Sequence, residues 1–490
     1  MARSQVLGLV ASNRSRLTID DEKRLLERVV SAYNEEDFHI YDPSADVLSR
    51  AMELMSQLTA GLDASSLTNS EMALVVSLVS AKSEATDVEL LSLVNVLKNP
   101  REGARRLKAA LENCESVISA SPVYFGDRSS VLHGVLDMVY HDTELQELLC
   151  EKVFCGISVG AKRNGGQETM LIYQLLDFLE FGVWGVGNDA LTTSQYGGTC
   201  MAGDIGTILH DSYGVVTSQG TGRRAAFMSR LARRAHEFRL VDKPKVGFLL
   251  LQDAEGRGEQ LLQQLLSRYA DRVDPVVFSI GESHVAPCKG CKLCPASVGP
   301  DSEYRCAVRD EDDFFVNRHP DIIGLDALVP VFYSPRDKRG LRSTYQQFVE
   351  RTRYLRRSDY ILANVPVAAM VFEEPDAGQN LHVRVITSLI RHQTIVLRPM
   401  VVPVLQGKAV YPDMLDEKFG AFLDCVAKIT AGRYASAVEE KSVSLYNAVG
   451  YTLNYARDKQ GDVVECRRQN VAARSGRMLD ALRDRIVRVG

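Results

Sequence analysis

The stretch Ser121–Gly126 reads Ser-Pro-Val-Tyr-Phe-Gly and follows the apolar run Val117–Ala120. A second stretch, Val329–Ser334, reads Val-Pro-Val-Phe-Tyr-Ser, starts 208 positions later and follows the apolar run Leu325–Val329. Each predicts a buried strand that ends in Pro-Val and two aromatic residues, before a polar loop and a helix. Such a loop presents aromatic rings to solvent and suits a flat aromatic ligand. The pair predicts that the chain carries one structural unit twice.

The repeat extends beyond this pair. The segment Gly166–Glu168 matches Gly378–Asn380 at a similar separation, 212 positions. Each half also opens with a continuous apolar strand, Val6–Ala11 or Val246–Leu251, followed by a helical pattern. Continuously apolar strands are typical of a sheet covered by helices on both faces, and strands that alternate with helices predict a parallel sheet. We therefore predict an α/β protein with two tandem, doubly wound parallel sheets.

The boundary between the halves is predicted near residues 238–245, around Pro244. This gives one domain over residues 1–240 and a second over residues 245–490, which ends in a helical tail. The first domain carries extra sequence, about residues 47–113, in which apolar residues at helical spacing predict added helices. Extra packing surface or a dimer interface is favoured over a substrate lid. The apolar positions are Met52, Met55, Leu58, Leu90, Leu91, Val94 and Leu97.

Composition narrows the class of protein. The chain has 490 residues, 45% of them hydrophobic and 25% charged, with a net charge of −5. These fractions are typical of a globular protein, and the charge offers no overall basic field for nucleic acid. No secretory signal and no apolar run long enough to cross a bilayer are evident. The expected location is the cytoplasm, without nucleic acid or membrane as a partner.

The loop after the first strand, Ser12–Thr18, contains three hydroxyls and two arginines before a helix that opens with Asp20 and Asp21. Backbone N–H groups at a helix N-terminus attract anions, and Arg grips phosphate bidentately. An ordinary helix cap explains the same hydroxyls about equally well. Both interpretations stay open at this point.

In a parallel sheet the loops after strands one, three and four meet at one edge, where ligands bind. Here they supply an anion cradle, an aromatic loop and a glycine-rich loop, Gly160–Glu168. Together these suit FMN. Core packing is the alternative for the two aromatic residues. The predicted cofactor contacts are Ser12, Arg14, Ser15, Thr18, Ser121, Pro122, Val123, Tyr124, Phe125, Gly126, Gly160, Gly165 and Gly166.

These three loops resemble those of NADPH-dependent FMN reductases of the flavodoxin-like superfamily. Tyr196–Thr199 and Gly222–Ala226 continue the resemblance over most of residues 1–240, apart from the insertion. It implies a flavodoxin-like fold and FMN that is reduced by NAD(P)H and passes electrons to a small molecule or a redox protein. It also implies a homodimer built from pseudo-dimeric chains. No residue is predicted to act as a catalytic acid or base.

A cysteine cluster marks the second half. Cys288, Cys291 and Cys294 have the spacing C-x2-C-x2-C, and Cys306 follows after eleven intervening residues. Such thiols select an iron–sulfur cluster or zinc, and unmetallated redox thiols are the alternative. With Cys306–Asp313, Pro330–Tyr333 and Glu350–Tyr354, the cluster resembles the iron–sulfur flavoprotein branch of the superfamily, which implies a 4Fe–4S cluster. The last gap is longer than that branch usually has.

The second half is expected to bind flavin weakly or not at all. Where the first half has Ser12–Arg14, it has Gln252–Ala254, and both Asp253 and Glu255 would repel phosphate. The favoured function is an FMN-dependent NAD(P)H oxidoreductase. One alternative is an electron-transfer protein in which an iron–sulfur cluster in the second half exchanges electrons with FMN in the first. The other is a non-catalytic scaffold of degenerate domains.

Overall fold

A computed structural model gives the fold of the chain as two compact units, residues 1–233 and 234–490. The division lies a few residues before the predicted boundary at 238–245. The structure describes residues 4–32, 52–53, 55–58, 67–84, 86–190, 192, 194–291, 304, 306–356, 360–440 and 479–489.

The first unit alternates strands and helices. Its strands are β1 (Gln5–Val10), β2 (Asp87–Ser92), β3 (Ser116–Pro122), β4 (Val153–Gly160), β5 (Trp184–Gly185) and β6 (Gly197–Met201). Its helices are α1 (Ile19–Ala32), α2 (Asn69–Ser83), α3 (Leu93–Lys98), α4 (Pro100–Asn113), α5 (Ser130–Tyr140), α6 (Thr143–Leu149) and α7 (Gln167–Leu179). Helix α8 (Ser212–Glu237) runs across the division between the units.

The sheet of the first unit is parallel. Strand β1 pairs with β2 on one side and with β3 on the other, β3 pairs with β4, and β4 pairs with both β5 and β6. This is the flavodoxin-like strand order 2-1-3-4-5. Strand β4 is buried along its whole length, as expected for a strand covered on both faces.

The second unit repeats the alternation. Its strands are β7 (Phe238–Leu240), β8 (Lys245–Asp253), β9 (Asp274–Phe278), β10 (Ala327–Ser334), β11 (Arg342–Ser343), β12 (Pro366–Val367), β13 (Met370–Glu373), β14 (Ile395–Val396), β15 (Met400–Leu405), β16 (Lys408–Ala409) and β17 (Ile486–Arg488). Its helices are α9 (Arg257–Arg268), α10 (Phe314–Ile323), α11 (Tyr345–Arg351), α12 (Arg353–Arg356), α13 (Leu381–Leu389) and α14 (Pro412–Glu440).

The sheet of the second unit has the same parallel order. Strand β8 pairs with β9 and β10, β10 pairs with both β12 and β13, and these pair with β14 and β15. The short strands β11 and β16 join its strands in antiparallel fashion. The predicted α/β class with parallel sheets is confirmed, and both units have one strand order. The inference that they arose by duplication stays a prediction.

The predicted insertion at 47–113 is wrong in its position. Leu90 and Leu91, expected on an added helix, lie in β2, which is an integral strand of the sheet. The helix that leads into β2 is α2, and α2 packs against β1, β3 and β4. The additional sequence therefore lies between β1 and α2, where α1 is found. Apolar spacing alone does not separate a short strand from a helical turn.

The second Pro-Val-aromatic stretch is also not a loop. Pro330, Phe332 and Tyr333 lie within β10, and Phe332 and Tyr333 are fully buried. Proline lacks an N–H to donate to a neighbouring strand. Opposite Pro330 the partner strand is interrupted, because β12 ends at Val367 and β13 begins only at Met370. Because no strand residue pairs with Pro330 on this side, its missing N–H leaves no hydrogen bond unmade, and the strand can stay buried.

Among the described residues, no helix is both long enough and apolar enough to cross a membrane.

Helices α2 and α8 cross at unusually close range in the first unit. A Cβ atom added to Gly222 would lie 1.9 Å from the backbone oxygen of Ser77. Because backbone cannot move aside like a side chain, Gly222→Ala should destabilise the chain by roughly 2 kcal/mol. Urea unfolding followed by circular dichroism measures the loss.

Gly134→Ala in α5 is the matched control. Its added methyl group would meet only the end of the Leu97 side chain, at 3.1 Å, and alanine favours a helix by about 1 kcal/mol. This variant should unfold at nearly the wild-type urea concentration. Equal losses in the two variants would contradict the close-crossing explanation.

Candidate functional site

A cavity of about 1260 Å³ opens in the first unit, beside the loops that follow β1, β3, β4 and β6. This is the edge of a parallel sheet where ligands bind. The lining residues are Ser12, Asn13, Arg14, Ser15, Arg16, Leu67, Thr68, Asn69, Ser70, Met72, Pro122, Val123, Tyr124, Val159, Gly160, Ala161, Ala202, Gly203, Gly206, Thr207 and Leu209.

The loop after β1 supplies one wall. Ser12 is buried, Ser15 is half-buried, and Arg14 is exposed, and all three line the cavity. Thr18 does not line it. Its hydroxyl donates to Asp21 Oδ2 at 2.7 Å, and this bond lowers the pKa of the Asp21 carboxyl. For Thr18 the helix-cap interpretation therefore describes the geometry.

A second wall is the N-terminus of α2, which lies far along the chain from the loop after β1. Thr68 caps this helix and forms a capping box with Glu71. The next two residues, Asn69 and Ser70, also line the cavity. The polar cradle is thus assembled from two segments, residues 12–16 and 67–70. Sequence reasoning missed the second segment, although Thr-x-x-Glu before an apolar run is a signature of a helix start.

The aromatic loop follows β3 as predicted. Its tip is a tight turn in which the backbones of Tyr124 and Asp127 exchange hydrogen bonds of 2.8 and 2.9 Å. Phe125 adopts a positive φ of 54° at this tip and is completely exposed, and Tyr124 is 42% exposed. Core packing is therefore excluded for both rings. Pro122, Val123 and Tyr124 line the cavity, whereas Ser121, Phe125 and Gly126 do not.

Ser121 instead fixes the far end of the aromatic loop. It is fully buried, and its hydroxyl accepts a hydrogen bond of 3.0 Å from the backbone N–H of Ser129. Ser129 in turn donates to the carbonyl of Ala11, next to the loop after β1, at 2.7 Å. Ser121 thus couples the aromatic loop to the polar wall without facing the cavity.

The glycine-rich loop packs directly on the aromatic loop. Gly166 has a φ of 100°, and a Cβ atom there would lie 2.7 Å from the Cα atom of Gly126. Gly160 lines the cavity, whereas Gly165 and Gly166 shape the loop behind it. The Gln167 amide closes this loop with hydrogen bonds to Gly165 N–H and Lys162 carbonyl, at 2.8 and 2.7 Å.

The segment after β6, residues 202–209, forms the remaining wall. Asn69 at the start of α2 holds it with both ends of its side-chain amide. Asn69 Oδ1 accepts from the backbone N–H of Ile208 at 3.0 Å, and Nδ2 donates to the Gly206 carbonyl at 3.4 Å. Five segments therefore line the cavity: the loops after β1, β3, β4 and β6, and the N-terminus of α2.

In the second unit a carboxylate occupies the corresponding helix N-terminus. Asp253 accepts hydrogen bonds from the backbone N–H groups of Ala254, Gly258 and Glu259 at 2.7, 2.7 and 3.2 Å. Gly258 and Glu259 lie in the first turn of α9, and amides at such a position are the donors that a phosphate would use. The side chain thus takes the place of an external anion, which agrees with the expectation of weak flavin binding.

The loops of the second unit also bind each other. Glu374, after β13, accepts from Arg257, from the Tyr333 hydroxyl and from the backbone N–H of Arg336, at 2.9, 2.7 and 2.9 Å. The bond from Arg336 lowers the pKa of Glu374. The counterpart of Ser121-Pro122 is Ser334-Pro335, 213 positions on, where charged residues replace the aromatic pair.

The predicted metal ligands are only partly within the described residues. Cys288 and Cys291 are half-buried, Cys306 is buried, and Cys294 lies outside the described residues. Within the described part of the chain, no three His, Cys, Asp or Glu side chains converge on a point that could hold a metal ion. These residues therefore do not complete a metal centre, and the cluster stays a prediction.

Comparison with known proteins gives a match inside the first unit. Residues 54–197 match the family model described as NADPH-dependent FMN reductase. An iron–sulfur flavoprotein of Methanocaldococcus jannaschii is 29% identical over 166 residues, which are 31% of this chain and 85% of that protein.

Two solved structures are also similar. A WrbA-like flavodoxin from Agrobacterium tumefaciens has 15% identity and a TM-score of 0.25, over 47% of this chain and 98% of its own. An NAD(P)H:quinone oxidoreductase from Methanothermobacter marburgensis has 13% identity and a TM-score of 0.23, over 46% of this chain and 96% of its own. The resemblance predicted for the first half is thus confirmed as a match of residues 54–197 to the NADPH-dependent FMN reductase family.

Proposed function

We propose that the first unit binds FMN in its cavity and acts as an NAD(P)H-dependent oxidoreductase. Bound FMN would take electrons from NAD(P)H and pass them to a small-molecule or protein acceptor. The observation that carries the proposal is the cavity at the edge of the sheet, about half of whose lining residues lie within the segment that matches FMN reductases.

The residues present fit the cofactor. Hydroxyls of Ser12 and Ser70, together with the amides at the start of α2, would hold the phosphate, and Arg14 would offset its charge. At the other end Val123 and Tyr124 offer an apolar and aromatic surface for the flavin ring. Gly160 presents its backbone to the cavity, and its lack of a side chain makes room for the Gln167 amide that closes the glycine-rich loop.

The protein's part in the reaction is to position the rings and exclude water. The contact between Gly126 and Gly166 fixes the two loops that would grip the flavin ring. The exposed face of Tyr124 leaves room for a second planar ring, as a nicotinamide donor requires. A homodimer would cover this face, and sedimentation velocity tests for that assembly.

The deciding experiment is an FMN titration of the purified chain, followed by absorption and flavin fluorescence. We expect one FMN per chain, since Asp253 already fills the matching place in the second unit. Anaerobic mixing with NADH or NADPH should then bleach the bound-flavin absorption band. Absence of flavin binding would overturn the proposal and favour a scaffold of degenerate domains.

An electron-transfer role with an iron–sulfur cluster is the second candidate. It is supported by the cysteine spacing and by the similarity to an iron–sulfur flavoprotein. Iron and acid-labile sulfide are measured in protein purified without oxygen. Four of each per chain would favour this candidate. Their absence would leave zinc or free thiols, which zinc analysis and thiol titration separate.

A further inference from the structure

One buried carboxylate joins the two segments of the polar cradle. Glu71, in the first turn of α2, is completely inaccessible to solvent. Its Oε1 atom accepts a hydrogen bond of 2.5 Å from the hydroxyl of Ser15, in the loop after β1. Its Oε2 atom accepts from the backbone N–H and the hydroxyl of Thr68, at 2.6 and 2.8 Å. Glu71 therefore bridges two cavity walls that are 56 residues apart in sequence.

The surroundings of Glu71 oppose its negative charge. Burial raises the pKa of this carboxyl and outweighs the hydrogen bonds from Ser15 and Thr68, which lower it. The carboxylate of Glu22 on α1 adds a smaller increase. Arg106 on α4 pairs with Glu22 at 2.6 Å. The Ser15 hydroxyl that donates to Glu71 also lies 3.3 Å from the hydroxyl of Ser92. This neighbour is uncharged and does not compensate the charge of Glu71. Arg14 and Arg16, in the loop that Ser15 belongs to, are exposed.

We propose that Glu71 is a positioning residue that clamps the split cradle together and takes up a proton when the phosphate of FMN binds. This inference rests on the proposed function. A buried carboxylate directly behind the phosphate donors repels the phosphate when ionised. When protonated, it keeps an acceptor oxygen and gains a donor, so that the clamp can persist without the repulsion.

The sign of the pH effect follows from linkage. An anion near Glu71 disfavours the ionised carboxyl, so that its pKa is higher in the complex than in the free protein. FMN binding should then weaken as pH rises through that titration. The second ionisation of a phosphate monoester, at about pH 6, acts in the opposite direction, because the dianion binds better. Only the difference between variants isolates the contribution of Glu71.

The test compares the wild type, Glu71→Gln and Glu71→Ala. Dissociation constants for FMN and for riboflavin, which lacks the phosphate, are measured between pH 5.5 and 8.5. Gln retains a donor and an acceptor for Ser15 and Thr68 but has no charge. At pH 8.5 Glu71→Gln should therefore bind FMN about tenfold more tightly than the wild type, and the two should converge at low pH. Riboflavin affinity should be the same in both at every pH.

Glu71→Ala removes the clamp and should weaken FMN binding at every pH, whereas Gln rescues it. The control is Glu112→Gln, which removes an exposed charge on α4 and should reproduce the wild-type profile. Parallel pH profiles for the wild type and Glu71→Gln would overturn the proton uptake. Equal FMN affinities for Ala and Gln at low pH would overturn the clamp. If the wild type bound neither flavin, the proposed function would fail instead.

Discussion

Replacing Asn13 by aspartate should weaken FMN binding by about 100-fold, equivalent to about 2.7 kcal/mol. In the second unit Asp253 stands at the matching place in the sequence, and its carboxylate accepts hydrogen bonds from three backbone N–H groups, two of them in the first turn of α9. Asn13 lines the cavity of the first unit beside Ser12 and Arg14. A carboxylate there would repel the phosphate and compete for its donors. Flavin fluorescence quenching on titration with protein measures both affinities.

Riboflavin separates this effect from a general loss of structure. It lacks the phosphate, so Asn13→Asp should bind riboflavin nearly as well as the wild type does. Asn13→Ala removes the amide without adding charge and should cost FMN affinity far less than Asp does. A 100-fold loss for riboflavin as well would contradict the assignment of the phosphate to this end of the cavity.

The sheet could be predicted because buried parallel strands have a distinct composition. Runs such as Val6–Ala11 and Val246–Leu251 are apolar at every position, which only a strand covered on both faces requires. The aromatic loop was predictable for a related reason. Ser121-Pro122 ends one such run, and nothing apolar follows to bury Tyr124 and Phe125.

The stretch Val329–Ser334 was wrongly predicted to end in a loop, because a proline usually marks the end of a central strand. At Pro330 the strand continues, since the neighbouring strand is interrupted opposite it at residues 368–369. That compensation lies some 40 residues away in sequence, and local patterns do not report it. The true loop begins at Ser334-Pro335, and charged residues stand where the loop of the first unit has Tyr124 and Phe125.

The polar cradle was half predictable for a similar reason. The residues after β1 were identified, but α1 and the sequence beyond it separate them from Thr68–Ser70. A phosphate loop is expected to run directly into its helix. The prediction therefore placed the phosphate at Thr18 and α1, whereas the start of α2 lines the cavity. The capping box at Thr68 was visible in the sequence. Its place beside Ser12 follows only from the pairing of β1 with β2 and β3.

Loss of Arg351 should have the largest effect on stability. Arg351 and Asp313 are buried in the second unit and form two parallel N–H···O bonds of 2.9 and 3.0 Å. Arg351 also donates to the carbonyl of Ala286 and to the hydroxyl of Tyr304, at 2.9 and 2.5 Å. Arg351→Met would leave Asp313 as an uncompensated buried charge, which costs about 3–5 kcal/mol. Urea unfolding of the full chain measures this loss.

The same substitution should loosen the segment that carries the predicted metal ligands. Ala286 precedes Cys288 by two residues, and Tyr304 precedes Cys306 by two, so Arg351 ties both ends of the cysteine segment to α11. Arg318→Ala, which breaks an exposed pair with Asp321 on α10, is the control and should cost at most about 0.5 kcal/mol. Adding Asp313→Asn to Arg351→Met removes the stranded charge, while the amide oxygen still accepts from the backbone N–H groups of Phe315 and Val316 at the start of α10. This change should restore part of the stability but not the tether. A double variant as unstable as Arg351→Met alone would show that lost packing, and not an unpaired carboxylate, accounts for the loss.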